Sequence, residues 1–486
     1  MIPKTLASMA LCFVTSAGFC QTPTTTSSVY SRRPTPTSAE DSYSPQLRGE
    51  LKALRDAALT SDYAWGQVAH ITENIGPRPE GSPQAEFAAT YVADELRKLG
   101  MDVHLEEVKV PKWTRGAETA ELVEWPGQTP GTTQKVVLTA LSGNAPTSPD
   151  GLTAEIVVVR NFDELKALGR EKVAGKIVLF NEIYDQKKAA GGKAFEAYGE
   201  AVVYRGEGAK KAADLGAVGS LVRSVGDADY RIPHTGGSTP AGIPQGAVAS
   251  EDAELISHLA AQGKVRIHMV LLSQTGAPVL GHNVIADIKG SEHPEQIVVV
   301  SGHLDSWDLA RGAIDDAAGV GVAMATAQLI HELHLHPRRT IRVIAWMDEE
   351  NFGSGQTAYT KAHGGEFANH VGAIESDSGA GHPLGFQAKI VPAAVPFLRP
   401  MLDMLSGFGA NLLDVVGESP EADIGPMSEA GVPAFGLEQD GRNYFKYHHT
   451  PADTLDKINP QELRENAAAM AVLGYTLACL PEPLPR

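Results

Sequence analysis

The residues able to do chemistry fall in short clusters: His303-x-Asp305 after IVVVSG, Asp315-Asp316 after GAI, Asp348-Glu349-Glu350 after TIRVIAWM, Asp377 after GAIES, and the late run YHHTPADT from Tyr447 to Thr454. Each has an ordinary explanation. A lone histidine after a strand is a loop residue, and paired aspartates before a helix are a cap with a dipole partner. Asp-Glu-Glu after a strand is a solvated loop, and Asp453-Thr454 ahead of a helix is a cap. Taken jointly the explanation changes. Carboxylates brought to neighbouring strand ends repel one another unless cations neutralise them. One or two histidines with several Asp and Glu, and no cysteine, suit zinc or a similar divalent ion in a hydrolytic site. Two histidines and three carboxylates match a centre of two ions. Such ions, about 3.5–4 Å apart, activate a bridging water and polarise a carbonyl. A further carboxylate must take the proton from that water and pass it to the leaving amine. Adjacent glutamates answer that need, one as ligand and its neighbour as base.

The elements that must position these groups are readable from periodicity. From Val279 onward, apolar strands alternate with helices: GHNVIADIKG and QIVVVSGHLD as strands, AGVGVAMATAQLIHELH as a helix, TIRVIAWMDEE as a strand, GSGQTAYTKAH as a helix, HVGAIESDSG as a strand, AVPFLRPMLDMLSGFG as a helix, VPAFGLEQ as a strand, and a long terminal helix from Asn459. This alternation predicts an α/β fold of three layers, with a mixed, mainly parallel sheet covered on both faces by helices. Ligand-binding groups gather beyond the carboxyl ends of strands in such sheets, and every cluster above falls at such an end. Before this region, two helical segments from Gln46, the turn GPRPEGS, and a capped helix from Ser82 to Gly100 lead into a strand over 103–110. Between 118 and 274 the texture is different, with short strands such as AEIVVVR, KIVLFN, GSLVRSV and VRIHMVLL, two helical runs and a Gly/Pro-rich loop. His234 in that loop reads as a turn or interface residue and stays outside the metal set.

The chain has 486 residues, enough for two or three domains. Its net charge of −18 argues against nucleic acid and anionic membrane surfaces as partners. At the N-terminus one lysine precedes an apolar run from Leu6 to about Phe19, too short to span a bilayer and fitting a secretory signal with cleavage near Cys20. A lipid anchor on Cys20 fits less well because Phe19 precedes it. The mature chain then keeps Cys479 alone, which leaves no internal disulfide. Residues 21–45 are rich in Thr, Ser and Pro and read as a disordered linker.

The motifs GHLDSWD, GAIDDAAG, MDEENFGSG, ESDSG and HHTPADT resemble peptidase family M28, the co-catalytic zinc peptidases. Within it, HLDSWD, ESDSG and YFKYHHT resemble the plasma glutamate carboxypeptidase branch. The resemblance is close over 280–486 and extends to 75–100. It implies a peptidase domain made of 46–117 and 275–486, interrupted at 118–274 by a smaller β-rich insert similar to a protease-associated domain. It also implies roles. His303, Asp315, Glu350, Asp377 and His449 hold two zinc ions, with Asp315 bridging them. Asp305 orients His303, Glu349 is the general base, and Asp316 is a neighbour. His448 stands beside His449 and is equally capable chemically. The implied activity is hydrolysis of short peptides or dipeptides by a secreted or periplasmic exopeptidase, an aminopeptidase, dipeptidase or carboxypeptidase. A homodimer is implied as well. Two other readings differ in what they require. A glutaminyl cyclase shares the fold and uses one zinc, and a receptor-like protein has no activity. Every motif position is intact, which argues against the latter.

Overall fold

The computed structural model describes residues 42–226, 228 and 230–486. The expected signal segment 1–20 and residues 21–41 of the expected linker lie outside the described residues. The end of that linker belongs to the fold. Tyr43 is buried and its hydroxyl donates to the Phe397 carbonyl at 2.8 Å. Ser44 caps helix α1 (Pro45–Ala58) by accepting the Leu47 amide at 3.1 Å, with Pro45 in the first turn. The polar composition around it conceals this aromatic anchor.

The main sheet has eight strands: β1 (Asp102–Thr114), β2 (Gln274–Ile288), β3 (His293–His303), β4 (Arg339–Trp346), β5 (His370–Glu375), β6 (Pro383–Lys389), β7 (Leu412–Val415) and β8 (Ala434–Gln439). Their spatial order is β1-β2-β4-β3-β5-β8-β6-β7. The centre, β4-β3-β5-β8, is parallel throughout, whereas β1, β2 and β6 add antiparallel pairings. Strand alternation divides the core. Val298 and Val300 of β3 join one buried cluster, and Ile297 and Val299 join another containing Trp346, Tyr359 and Phe367. The first cluster also takes α1, α2 (Pro83–Lys98) and the terminal helix.

The chain leaves this sheet at Thr114 and re-enters at Gln274, its direct partner on the adjacent strand. An insertion at such a point does not disturb the register on either side. The intervening residues build a second eight-stranded sheet from strands between Glu118 and Leu271, accompanied by four helices, the longest being α3 (Ala194–Asp214). The insert thus carries more helix than a β-rich reading conveys.

Helix α4 (Ala318–Glu332) follows β3 and is packed against α1, β3 and the terminal helix α5 (Pro460–Cys479). Ala313–Glu332 is apolar and long enough to cross a membrane, yet its apolar part is buried inside the fold and only His331 and Glu332 at its end are exposed. It is the core helix that the parallel β3–β4 connection requires.

Candidate metal centre

His303 ends β3, and Asp377 lies two residues beyond β5, the neighbouring parallel strand. Asp315 and Asp316 sit in the turn that opens α4, and Glu349 and Glu350 follow β4. The parallel centre of the sheet therefore delivers these groups to one edge. His449 arrives from the far C-terminal region, in a left-handed backbone conformation with φ 61°.

The geometry is two groups of atoms sharing one carboxylate. Asp315 Oδ1 lies 3.1 Å from His303 Nε2, and Asp377 Oδ1 lies 3.2 Å from the same nitrogen. Asp315 Oδ2 lies 3.4 Å from His449 Nε2, which is 3.0 Å from Glu350 Oε2. Both imidazoles are fixed from behind. His303 Nδ1 is 3.1 Å from the Asp305 carbonyl, and His449 Nδ1 is 3.1 Å from the Thr235 carbonyl. A carbonyl only accepts, so these contacts suit a proton on each Nδ1, with Arg205 Nη1 also 3.4 Å from His449 Nδ1, and each Nε2 would offer its lone pair to a cation bound among the carboxylates. Asp315 Oδ2, Asp377 Oδ1 and His449 Nε2 are buried without hydrogen-bond partners. Acceptors facing acceptors in a dry site fit divalent cations. His448 stacks on His449 with ring centroids 3.5 Å apart, and its Nε2 is 3.6 Å from Asp315 Oδ2. It reaches the shared carboxylate but pairs with no second acid at ion-pair distance, unlike His449.

The electrostatics follow from this crowding. Burial opposes a charge on His303, but the carboxylates of Asp377 and Asp315 outweigh it and hold the ring well above its ordinary range. Burial, followed by the Asp377 charge, pushes Glu349 up to about 8. Burial and Asp315 push Glu350 well up. Asp315 alone is held low, because contact with His303 and the nearness of His448 outweigh its burial. Metal ions would replace the protons that these shifts imply.

The remaining expected residues are supports. The Asp305 carboxylate lies 3.8 Å from His303 Nδ1, farther than its own main-chain carbonyl. It instead accepts the amides of Glu349 and Glu350 at 3.2 and 3.4 Å. Asp316 turns inward and accepts the His303 and Gly319 amides. Asp453 does not cap the helix that follows it. That helix starts at Pro460 with Asn459 as its cap, and Asp453 Oδ1 accepts the Ala313 and Ile314 amides at 2.9 and 2.8 Å.

Sequence reasoning missed Arg78 and the insert loop. Arg78 is buried in the IGPRPEGS turn and donates to the carbonyls of Gly76, Leu304, Arg311 and Gly312. It clamps the loops on both sides of Asp305 and Asp315. Thr235 receives the His449 proton on its carbonyl and donates its amide to the His449 carbonyl at 3.0 Å. Arg205 of α3 donates to the same Thr235 carbonyl. His234 itself is buried, and its amide donates to Ser224 Oγ. The only local signal in the sequence was that histidine.

A three-layer α/β/α fold with this buried His–carboxylate centre defines a metallopeptidase. The chain belongs to peptidase family M28, whose family model matches residues 283–474. It is 34% identical to carboxypeptidase Q of Mus musculus over 445 residues, covering 90% of each chain. It is 35% identical to carboxypeptidase Q of Homo sapiens over 430 residues, covering 87% of each. The crystal structure of a peptidase M28 precursor from Shewanella amazonensis superposes with a TM-score of 0.84 at 34% identity, covering 90% of this chain and 98% of that one. A zinc aminopeptidase from Bacillus subtilis shares the fold, with a TM-score of 0.62 at 20% identity, covering 87% and 98%.

Proposed function

We propose that the protein is an exported exopeptidase that hydrolyses dipeptides or short peptides with two zinc ions per chain. The observation that carries this reading is the division of Asp315: one oxygen faces His303 and the other faces His449. His303 and Asp377 would hold one ion with Asp315, and His449 and Glu350 would hold the other. A bound zinc pair supplies a lowered water pKa and a polarised carbonyl. The chain's own residues do the rest. Glu349 has a buried oxygen without a hydrogen-bond partner, and with zinc bound beside it the carboxyl would be ionised and placed to take a proton and return it to the leaving amine. Asp305 aims that glutamate by holding its amide. Arg78 and Asp453 fix the turn that carries Asp315. Export rests on the Leu6–Phe19 run, and the likeness to carboxypeptidase Q supports short peptides as substrates.

The test combines elemental analysis with a panel of dipeptides and aminoacyl anilides. Two zinc ions per chain are expected, with hydrolysis abolished by a chelator and restored by zinc. One ion per chain with cyclisation of N-terminal glutamine would establish the glutaminyl cyclase reading instead. Cleavage restricted to blocked or long peptides would sink the exopeptidase.

A further inference from the structure

A cavity of about 240 Å³ lies beside the metal centre, lined by Pro79, Glu80, Trp113, Arg115, Trp307 and Asn351 among others. It adjoins the centre at two points. The Trp307 ring is 5.5 Å from that of His449, and Asn351 directly follows Glu350. The metal centre uses none of these side chains.

The cavity contains an uncompensated acid. Glu80 is 4% exposed, and its Oε1 accepts from Asn351 Nδ2 at 2.9 Å. Among the described residues no cationic side chain forms an ion pair with it. The nearby guanidinium of Arg115 is already committed, bidentate to Asp308 at 2.7 and 2.8 Å and to Glu118 at 2.7 Å. One cation therefore stands against three carboxylates, and the local charge is negative. Asn351 Oδ1 is a second buried acceptor without a partner. Two indole rings complete the wall, Trp113 with the Arg115 guanidinium already 4.9 Å from its ring centroid, so that the Trp307 ring is the aromatic surface left to a ligand. A buried acid, an amide oxygen and an aromatic face are the components of a site for an organic cation. The Glu80 carboxyl is pushed well above its ordinary range by burial and by Asp348 and Asp305, as expected of an acid with no cation at hand. The indole N–H groups of Trp113 and Trp307 also lack partners and would suit an acceptor. An anionic group would, however, add to a cavity in which the acids Glu80, Asp308 and Glu118 already outnumber the one cation, Arg115, so the surplus of acids decides for a cation, beside which Glu80 ionises.

We propose that this cavity is a subsite for a cationic, lysine-type side chain of the peptide substrate, held by Glu80 and Asn351 against Trp307. The proposal rests on the exopeptidase reading above and adds selectivity to it. The volume, several times the roughly 30 Å³ of a water molecule, admits an aminobutyl chain.

The experiment compares Lys-Ala and Ala-Lys with the same dipeptides carrying norleucine or glutamate in place of lysine, on the zinc-loaded full chain and on Glu80→Gln, with thermal melting as the folding control. For one of the two positions, the wild type is expected to show kcat/KM for lysine about tenfold or more above norleucine, equivalent to about 1.4 kcal/mol. Glu80→Gln is expected to bring that ratio close to one. Equal rates on lysine and norleucine in the wild type would overturn the subsite, as would a preference for glutamate. An equal loss on both substrates in Glu80→Gln would also overturn it, since the acid would then serve a group common to all dipeptides. If Glu80→Gln does not fold, the wild-type ratio alone decides. Failure to hydrolyse any of these dipeptides, norleucine included, would count against the exopeptidase itself, a different outcome from lost selectivity.

Discussion

At the scale of single residues, the proposed mechanism divides the work between the adjacent glutamates. Glu350 lies 3.0 Å from His449 Nε2, in position to share a cation with it, whereas among the described residues neither His303 nor His449 stands at ion-pair distance from Glu349. Both hang from the Asp305 carboxylate through their amides. Glu349→Gln preserves shape and removes the proton acceptor. It should lower kcat by about 10²–10⁴ while leaving the zinc content per chain intact. Loss of zinc in step with activity would make Glu349 a ligand and reverse the assignment. The buried guanidinium of Arg78 is different in kind, because it touches carbonyls and no candidate ligand. Arg78→Met fills much of the same volume but removes the guanidinium donor from the Gly76, Leu304 and Arg311 carbonyls, whereas Gly312 keeps the Ala317 amide. Each orphaned group costs about 1–3 kcal/mol, so thermal melting should fall by several degrees. A melting temperature equal to wild type would show that the turn does not depend on the clamp.

At the scale of elements, the centre depends on how closely α4 approaches the end of β5. A Cβ on Gly319 would lie 1.9 Å from the Ser376 carbonyl and 2.3 Å from Asp316 Oδ2, so no side chain fits there. Gly319→Ala must push the Ser376–Asp377 segment away from the helix. We expect a loss of roughly 1–3 kcal/mol in stability together with weaker zinc retention in a chelator competition. Unchanged retention would mean that Asp377 is positioned independently of α4. Helix α4 and strands β3, β4 and β5 were legible in the sequence because each is a continuous apolar run, and the clusters at their ends followed. Strand β6 and the edge strand β7 were not. PLGFQAK and LLDV are short, partly exposed and mixed in pattern, and they become strands only by pairing with each other and, for β6, with β8. Asp453 was misread for a related reason. Its partners are the amides of Ala313 and Ile314, about 140 residues earlier, and local periodicity carries no trace of such a contact. The bridge between Thr235 and His449 spans 214 residues and was equally hidden.

At the scale of the molecule, folding gathers acids that repel one another. Burial and Asp377 push Glu349 to about 8, burial and Asp305 push Asp348 to about 8, and burial and Asp377 push Glu375 to about 8. In the unfolded chain these groups ionise near pH 4. Between those values the metal-free folded state binds more protons than the unfolded state, so its stability falls as pH rises. Four histidines act in the opposite sense at lower pH, among them His449, held well below its ordinary value by burial and by His448. Burial lowers His234 and His448 to about 3 and His370 to about 4, and their contribution grows until the unfolded rings lose their protons near pH 6.5. From about pH 6.5 to 8 the raised acids, each on the order of 1 kcal/mol over the window, and the raised His303 all act in this one sense. Bound zinc would replace the protons of the ligands Glu350 and Asp377, and its positive charge would favour the ionised form of the acids beside them, which reduces the slope or inverts it. The chelated protein should consequently melt a few degrees lower at about pH 8 than at about pH 6.5, and the zinc-loaded protein should not. Calorimetric melts of both forms across the window check this. A chelated protein that is equally stable at both ends would mean that the carboxylates separate when the metal leaves, and that the ions assemble the centre rather than occupy one the fold has already built.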